Sequence, residues 1–132
     1  MIHAVVDTHA LIWYLFGDSR VSATARGEID GAAASGEQIA ISIISLVEIV
    51  SLIEKRRIDA TTFDQVLGQL NSGMLFVEIV VDRPVILAMR AVDRMQVPEL
   101  PDRVIAATAL RLGVPLISRD RKIQTSRVTT IW

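Results

Sequence analysis

Four carboxylates of this 132-residue chain stand where packing alone does not call for them. Asp7 ends the apolar stretch Ile2-His3-Ala4-Val5-Val6, and Glu48 interrupts the nearly all-apolar run Ile43-Ile44-Ser45-Leu46-Val47-Glu48-Ile49-Val50. Asp102 heads the Ala-rich run that follows Pro101, and Asp120 follows Pro115-Leu116-Ile117-Ser118-Arg119. Brought together, carboxylates within about 4–6 Å of one another cannot all ionise unaided. Such a set of hard oxygen donors suits Mg²⁺ or Mn²⁺, whose chemistry with phosphate esters is to activate water and steady the charge on the phosphate. Each acid also has an ordinary reading. Asp7 and Asp102 fit the start of a helix, where a carboxylate caps or meets the dipole. Glu48 shares a three-residue stripe with Ser45 and Ser51 that faces either water or a charged site, and Asp120 fits a turn.

Basic residues accompany them. Residues 1–101 carry 13 acids and 8 Lys/Arg, whereas residues 102–132 carry 2 acids and 6 Lys/Arg. A basic segment beside an acidic pocket suits a phosphate-bearing substrate, although a solvated basic tail has the same composition. Arg103, Arg119 and Arg121 flank two of the acids and either meet substrate phosphates or balance the carboxylates. His3, inside an apolar stretch, reads as a core or edge residue. His9 is near Asp7 but has no second histidine at ligand spacing, which leaves a zinc site unsupported. Trp13, Tyr14 and Phe16 cannot all point one way, so at least one is expected at the surface, where an exposed aromatic suits a partner.

The elements that must position these residues can be read from the apolar pattern and its punctuation. Strands are expected at 2–7, 39–42, 76–80, 115–118 and 128–131. Helices are expected at 8–16, from the Ser22 cap to about 34, at 43–56, from Thr61 or Thr62 to about 70, after the Asp82 cap with Pro84 in its first turn, and at 102–112 up to Gly113. The prolines at 98 and 101 mark 96–101 as a loop. Strands alternating with helices from end to end predict an α/β fold, with a mostly parallel five-stranded sheet and helices on both faces. Ligands bind such sheets at the carboxyl ends of the strands, where Asp7 and Asp120 are both expected. Half the residues are apolar, enough for one compact domain over 1–132. The absence of cysteine excludes a disulfide framework and a thiolate metal site. No apolar run approaches the roughly 18–20 residues of a membrane helix and no secretory leader pattern is present, so the expected location is cytoplasmic.

Taken in order, Asp7-Thr8-His9-Ala10-Leu11-Ile12-Trp13, Ser45-Leu46-Val47-Glu48, Asp102-Arg103-Val104-Ile105-Ala106-Ala107-Thr108-Ala109 and Ile117-Ser118-Arg119-Asp120 resemble the motifs of PIN domains, and within them the VapC-type ribonuclease toxins of toxin–antitoxin pairs. The resemblance spans nearly the whole chain. It implies a three-layer PIN-like domain with its acids at the carboxyl edge of the sheet, binding Mg²⁺ or Mn²⁺. It implies hydrolysis of RNA, tRNA among the plausible targets, by a metal-activated water. Asp7 and Asp102 would be the central metal ligands and Glu48 would hold metal directly or through water. Asp120 would complete the set, and Ser118 would order a metal-bound water. Homodimers and a cognate antitoxin that covers the site are implied as well. Two alternatives remain open at the level of sequence: a PIN-like module that binds RNA or protein without catalysis, and an aspartate-based phosphatase. The second wants another Asp two residues after Asp7, where this chain has His9. A receiver domain is disfavoured too, because no Lys ends the fifth strand.

Overall fold

The computed structural model describes residues 1–124 and 126–132. Five strands, β1 (Ile2–Val6), β2 (Gln38–Ser42), β3 (Phe76–Ile79), β4 (Leu116–Ile117) and β5 (Thr130–Ile131), form one sheet in the order β3-β2-β1-β4-β5. Every pairing is parallel. The chain moves outward from β1 through β2 to β3, then crosses back to lay β4 on the other side of β1. That reversal puts the topological switch point beside β1, at the carboxyl end of the sheet.

Seven helices connect the strands among the described residues: α1 (Thr8–Leu15), α2 (Ala23–Ser35), α3 (Ile43–Glu54), α4 (Thr62–Ser72), α5 (Arg83–Ala88), α6 (Leu100–Leu112) and α7 (Arg121–Gln124). Their ends follow the local chemistry. Asp7, Ser22 and Asp82 cap α1, α2 and α5 by accepting from the backbone N–H three residues on, and α6 stops at the left-handed Gly113. Alternation along β1 sends Ala4 and Val6 to one face, packed with α1 and α2, and Val5 to the other, packed with α6. The sheet is thus sandwiched between two apolar layers. Ala106, Ala107 and Ala109 are fully buried, and their small side chains let α6 lie close across β1 and β2.

The architecture agrees with the sequence expectation, with three local differences. The helix expected at 102–112 begins at Leu100, because a proline in the first helical turn gives up no hydrogen bond and Pro101 is accommodated there. The last two strands are two residues each, shorter than the apolar runs that encode them. The short helix α7 follows Asp120, whose carboxylate accepts from the Lys122 N–H at 2.8 Å, and no helical periodicity signals it.

Candidate active site

Asp7 is the first residue beyond β1, and its position at the switch point follows from the strand's length. One oxygen, Oδ1, accepts from the Ala10 N–H at 2.8 Å, so Asp7 is a helix cap and a site residue at once. Thr8, fully buried beside it, donates to Glu48 Oε1 at 2.6 Å and shares a 2.9 Å hydrogen bond with the buried Ser45 hydroxyl. The polar stripe of α3 therefore turns its Ser45–Glu48 segment toward the site rather than toward bulk water. Asp102 lies in the first turn of α6. Asp120 follows β4, and its N–H donates to the buried Ser118 hydroxyl at 3.0 Å. The Asp7 N–H donates to the Ile117 carbonyl at 3.1 Å, which links the carboxyl ends of β1 and β4.

All four acids line one cleft of about 710 Å³ at the sheet's carboxyl edge. Their proximity shows in their protonation. Burial, and then the charges of Asp120, Glu48, Asp7 and Glu99, push the Asp102 carboxyl up to about 7. Burial also raises Asp7, against the lowering effect of its hydrogen bonds with Ser118 and the Ala10 N–H. Among the described residues, no three His, Asp or Glu side chains are gathered closely enough to hold a metal ion as they stand. The site is a set of mutually repelling carboxylates lining one cleft.

The basic residues separate into two groups. Arg119 lies at the cleft, its guanidinium 4.4 Å from the Trp13 ring centre. Arg103 turns away: its Nη2 donates to the carbonyls of Met89 and Val92 at 3.3 and 3.4 Å, and its buried Nε has no partner among the described residues. Arg121 is exposed on α7 and does not line the cleft. In exchange the fold brings Arg20, Lys55 and Arg57 to the rim, together with Glu99. Sequence reasoning missed these four because they sit on connections and helix ends. The run Lys55-Arg56-Arg57 just after α3, the helix carrying Glu48, was the available signal. His9 is exposed at the cleft, His3 pairs with Glu28 at 2.6 Å, and Phe16 is the exposed aromatic of α1's end.

Comparison with known proteins gives the family and the fold. Residues 4–128 match the PIN domain family. The chain is 29% identical, over the full length of both proteins, to the ribonuclease VapC22 of Mycobacterium tuberculosis (strain ATCC 25618 / H37Rv). Its fold is similar to that in the VapBC2 structure from Rickettsia felis, bound to a promoter DNA fragment, with a TM-score of 0.72 at 15% identity, covering 98% of this chain and 97% of that one. A toxin–antitoxin complex from Klebsiella pneumoniae gives 0.65 at 24%, covering 98% and 96%. Four acids at the carboxyl edge of a parallel sheet, in a chain matched almost end to end, place this protein in the PIN domain family.

Proposed function

We propose that this protein is a metal-dependent endoribonuclease toxin, held inactive by a cognate antitoxin. The observation that carries the reading is the single cleft in which Asp7, Glu48, Asp102 and Asp120 meet beneath a rim of arginine and lysine. The similarity to a VapC ribonuclease and to toxin–antitoxin complexes supports it.

The donor set fits Mg²⁺ or Mn²⁺, being all carboxylate, and the raised Asp102 carboxyl reflects its burial together with the charges of the neighbouring acids. Asp7 and Asp102 would hold the ion, with Glu48 and Asp120 completing the set directly or through water. Once bound, the ion would supply an activated water and neutralise charge on the scissile phosphate. The remaining work falls to the chain itself. Thr8 fixes the rotamer of Glu48, the Ala10 N–H holds one oxygen of Asp7, and the Ser118 hydroxyl holds the backbone at Asp120. Arg119, Arg20, Lys55 and Arg57 attract the phosphates on either side of the cut and hold the strand over the acids. Arg103 takes a structural part, tying α6 to the segment after α5.

RNA is the substrate of this reading, tRNA included, and the cytoplasm is its place of action. No helix among the described residues is long and apolar enough to cross a membrane. A homodimer is proposed from exposed apolar side chains on α3, α5 and α6. The decisive experiment is RNA cleavage by the purified protein with Mn²⁺, with EDTA, and in Asp7→Asn and Asp102→Asn variants. Cleavage giving 5′-phosphate ends, lost in EDTA and in both variants, is expected. Full cleavage by either variant, purified free of other nucleases, would refute the assignment.

A further inference from the structure

Beside the acidic cleft lies a second one of about 340 Å³, lined by residues of α1, the loop after it, the end of α3, the α3–α4 connection and the start of α4. The two clefts share His9, Trp13, Arg20 and Arg57, so they are adjoining compartments of one depression. The second is the more apolar, with Leu52 and Ile58 in its wall, and its size is in the range of ligand sites. Thr62 is buried in its lining, and the Thr62 Oγ1 has no hydrogen-bond partner among the described residues. A buried hydroxyl without a partner is destabilising in the free protein, and it is satisfied when a bound group supplies the missing hydrogen bond.

The entrance is built for a flat ring. Arg20 lies over the Trp13 indole, 4.7 Å from its centre, and its Nε and Nη2 bond the two oxygens of Asp18 at 3.1 and 2.7 Å. The guanidinium is thereby fixed in orientation, yet the side chain remains 56% exposed and offers a planar face. Phe16 is exposed beside it. Unstacked RNA bases are bound on aromatic rings and arginine planes of this kind. Asp59 supplies an acceptor in the wall; its hydrogen bonds from the Thr61 N–H and hydroxyl at 2.8 and 2.6 Å hold the carboxyl below its ordinary value, and thus ionised. An ionised carboxylate accepts from the exocyclic amines of adenine, cytosine and guanine, whereas the one pairing-edge donor of uracil, its imide N–H, is flanked by two carbonyl oxygens that the carboxylate repels.

We propose that this second cleft is a nucleobase subsite, which receives the base of a nucleotide flanking the scissile phosphate and prefers adenine, cytosine or guanine to uracil. The inference rests on the ribonuclease reading above. RNA is favoured over a protein segment because the exposed planar groups of Arg20 and Phe16 suit a base ring, and because Arg57, at the junction of the clefts, lies where the phosphodiester must pass from the acids to the base.

The test is cleavage of a randomised single-stranded RNA pool with Mn²⁺, the cut ends being sequenced, by the unmutated protein and by Thr62→Val and Asp59→Asn. Both substitutions preserve shape, and Asn keeps the acceptor that Thr61 uses. The unmutated protein is expected to disfavour uracil at one position flanking the cut, and Asp59→Asn to lose that discrimination. Thr62→Val should lower kcat/KM on the preferred RNA about tenfold, with no fall in unfolding temperature, since the orphan hydroxyl is gone. A cleavage profile and rate unchanged in both variants would overturn the subsite and leave the cleft to a protein segment. If the unmutated protein cuts nothing, the nuclease reading fails, and the cleft is judged by tryptophan fluorescence with 5′-mononucleotides. Quenching by AMP, CMP or GMP in preference to UMP, weakened in Thr62→Val, supports a base site; equal or absent quenching overturns it.

Discussion

Asp102 is the residue on which the site's electrostatic tension falls. In an unfolded chain its carboxyl ionises near pH 4, whereas burial and four neighbouring acids raise it to about 7 in the folded protein. Between those values the folded state binds more protons than the unfolded state, so stability falls as pH rises through that window. This is opposite to the usual carboxylate, which is stabilising when ionised. In EDTA the unfolding temperature should therefore decline between pH 5 and pH 8. Because a divalent cation stabilises the folded form it binds, Mn²⁺ should restore more of that temperature at pH 8 than at pH 5. Asp102→Asn removes the charge and keeps the shape. It should raise the unfolding temperature at pH 8 without metal, while lowering cleavage by about a hundredfold or more. A lower unfolding temperature in the variant would show that Asp102 is held by favourable contacts rather than strained by repulsion.

At the scale of elements, two side-chain ties show how the frame supports the site. Thr8 at the start of α1 reaches Glu48 on α3 at 2.6 Å. Thr8→Val should cost about 1–2 kcal/mol in urea unfolding and weaken Mn²⁺ binding roughly tenfold or more by calorimetry, with Glu48 free to change rotamer. Unaltered Mn²⁺ affinity would separate Thr8 from the metal set. The second tie joins β1 to α2: His3 Nε2 lies 2.6 Å from Glu28 and Nδ1 lies 3.6 Å from Glu37. The hydrogen bond to Glu28, more than the charge of Glu37, raises the His3 pKa. A raised histidine stabilises fully below its ordinary value near 6.5 and loses that stabilisation as pH rises through its folded value. His3→Gln should thus flatten part of the pH slope in metal-free unfolding, and Asp102→Asn a different part. A slope unchanged by His3→Gln would show that the pair contributes nothing in solution. The sequence foretold these elements unevenly. The order of strands and helices, and the carboxyl-end placement of Asp7 and Asp120, follow from apolar runs and caps. The rim did not: Arg20 is on a loop and Lys55 and Arg57 follow a helix end, where no periodicity reports direction. Arg103 misled because a charge next to a site acid in sequence points about 100° away from it around a helix, here to the Met89 and Val92 carbonyls.

For the whole molecule, the surface that is not cleft is the part still to be accounted for. Val47 and Val50 on α3, Ile86 and Leu87 on α5 and Leu100 at the start of α6 are between 41% and 61% exposed. These three helices are packed in series, α3 on α6 and α6 on α5. Single exposed apolar residues are ordinary, but five on adjoining helices make the kind of surface that marks a protein contact. The sheet cannot use them, since both its faces are covered by the two core layers. The partner most readily supplied is a second copy, because a two-fold axis needs one patch that complements itself. Light scattering at micromolar concentration should give the mass of a dimer. Val47→Asp combined with Leu87→Asp should give a monomer with an unchanged far-ultraviolet spectrum, since neither side chain belongs to the core. A monomer from the unmutated chain would assign the patch to a different protein. A dimer surviving the double substitution would place the interface elsewhere on the molecule.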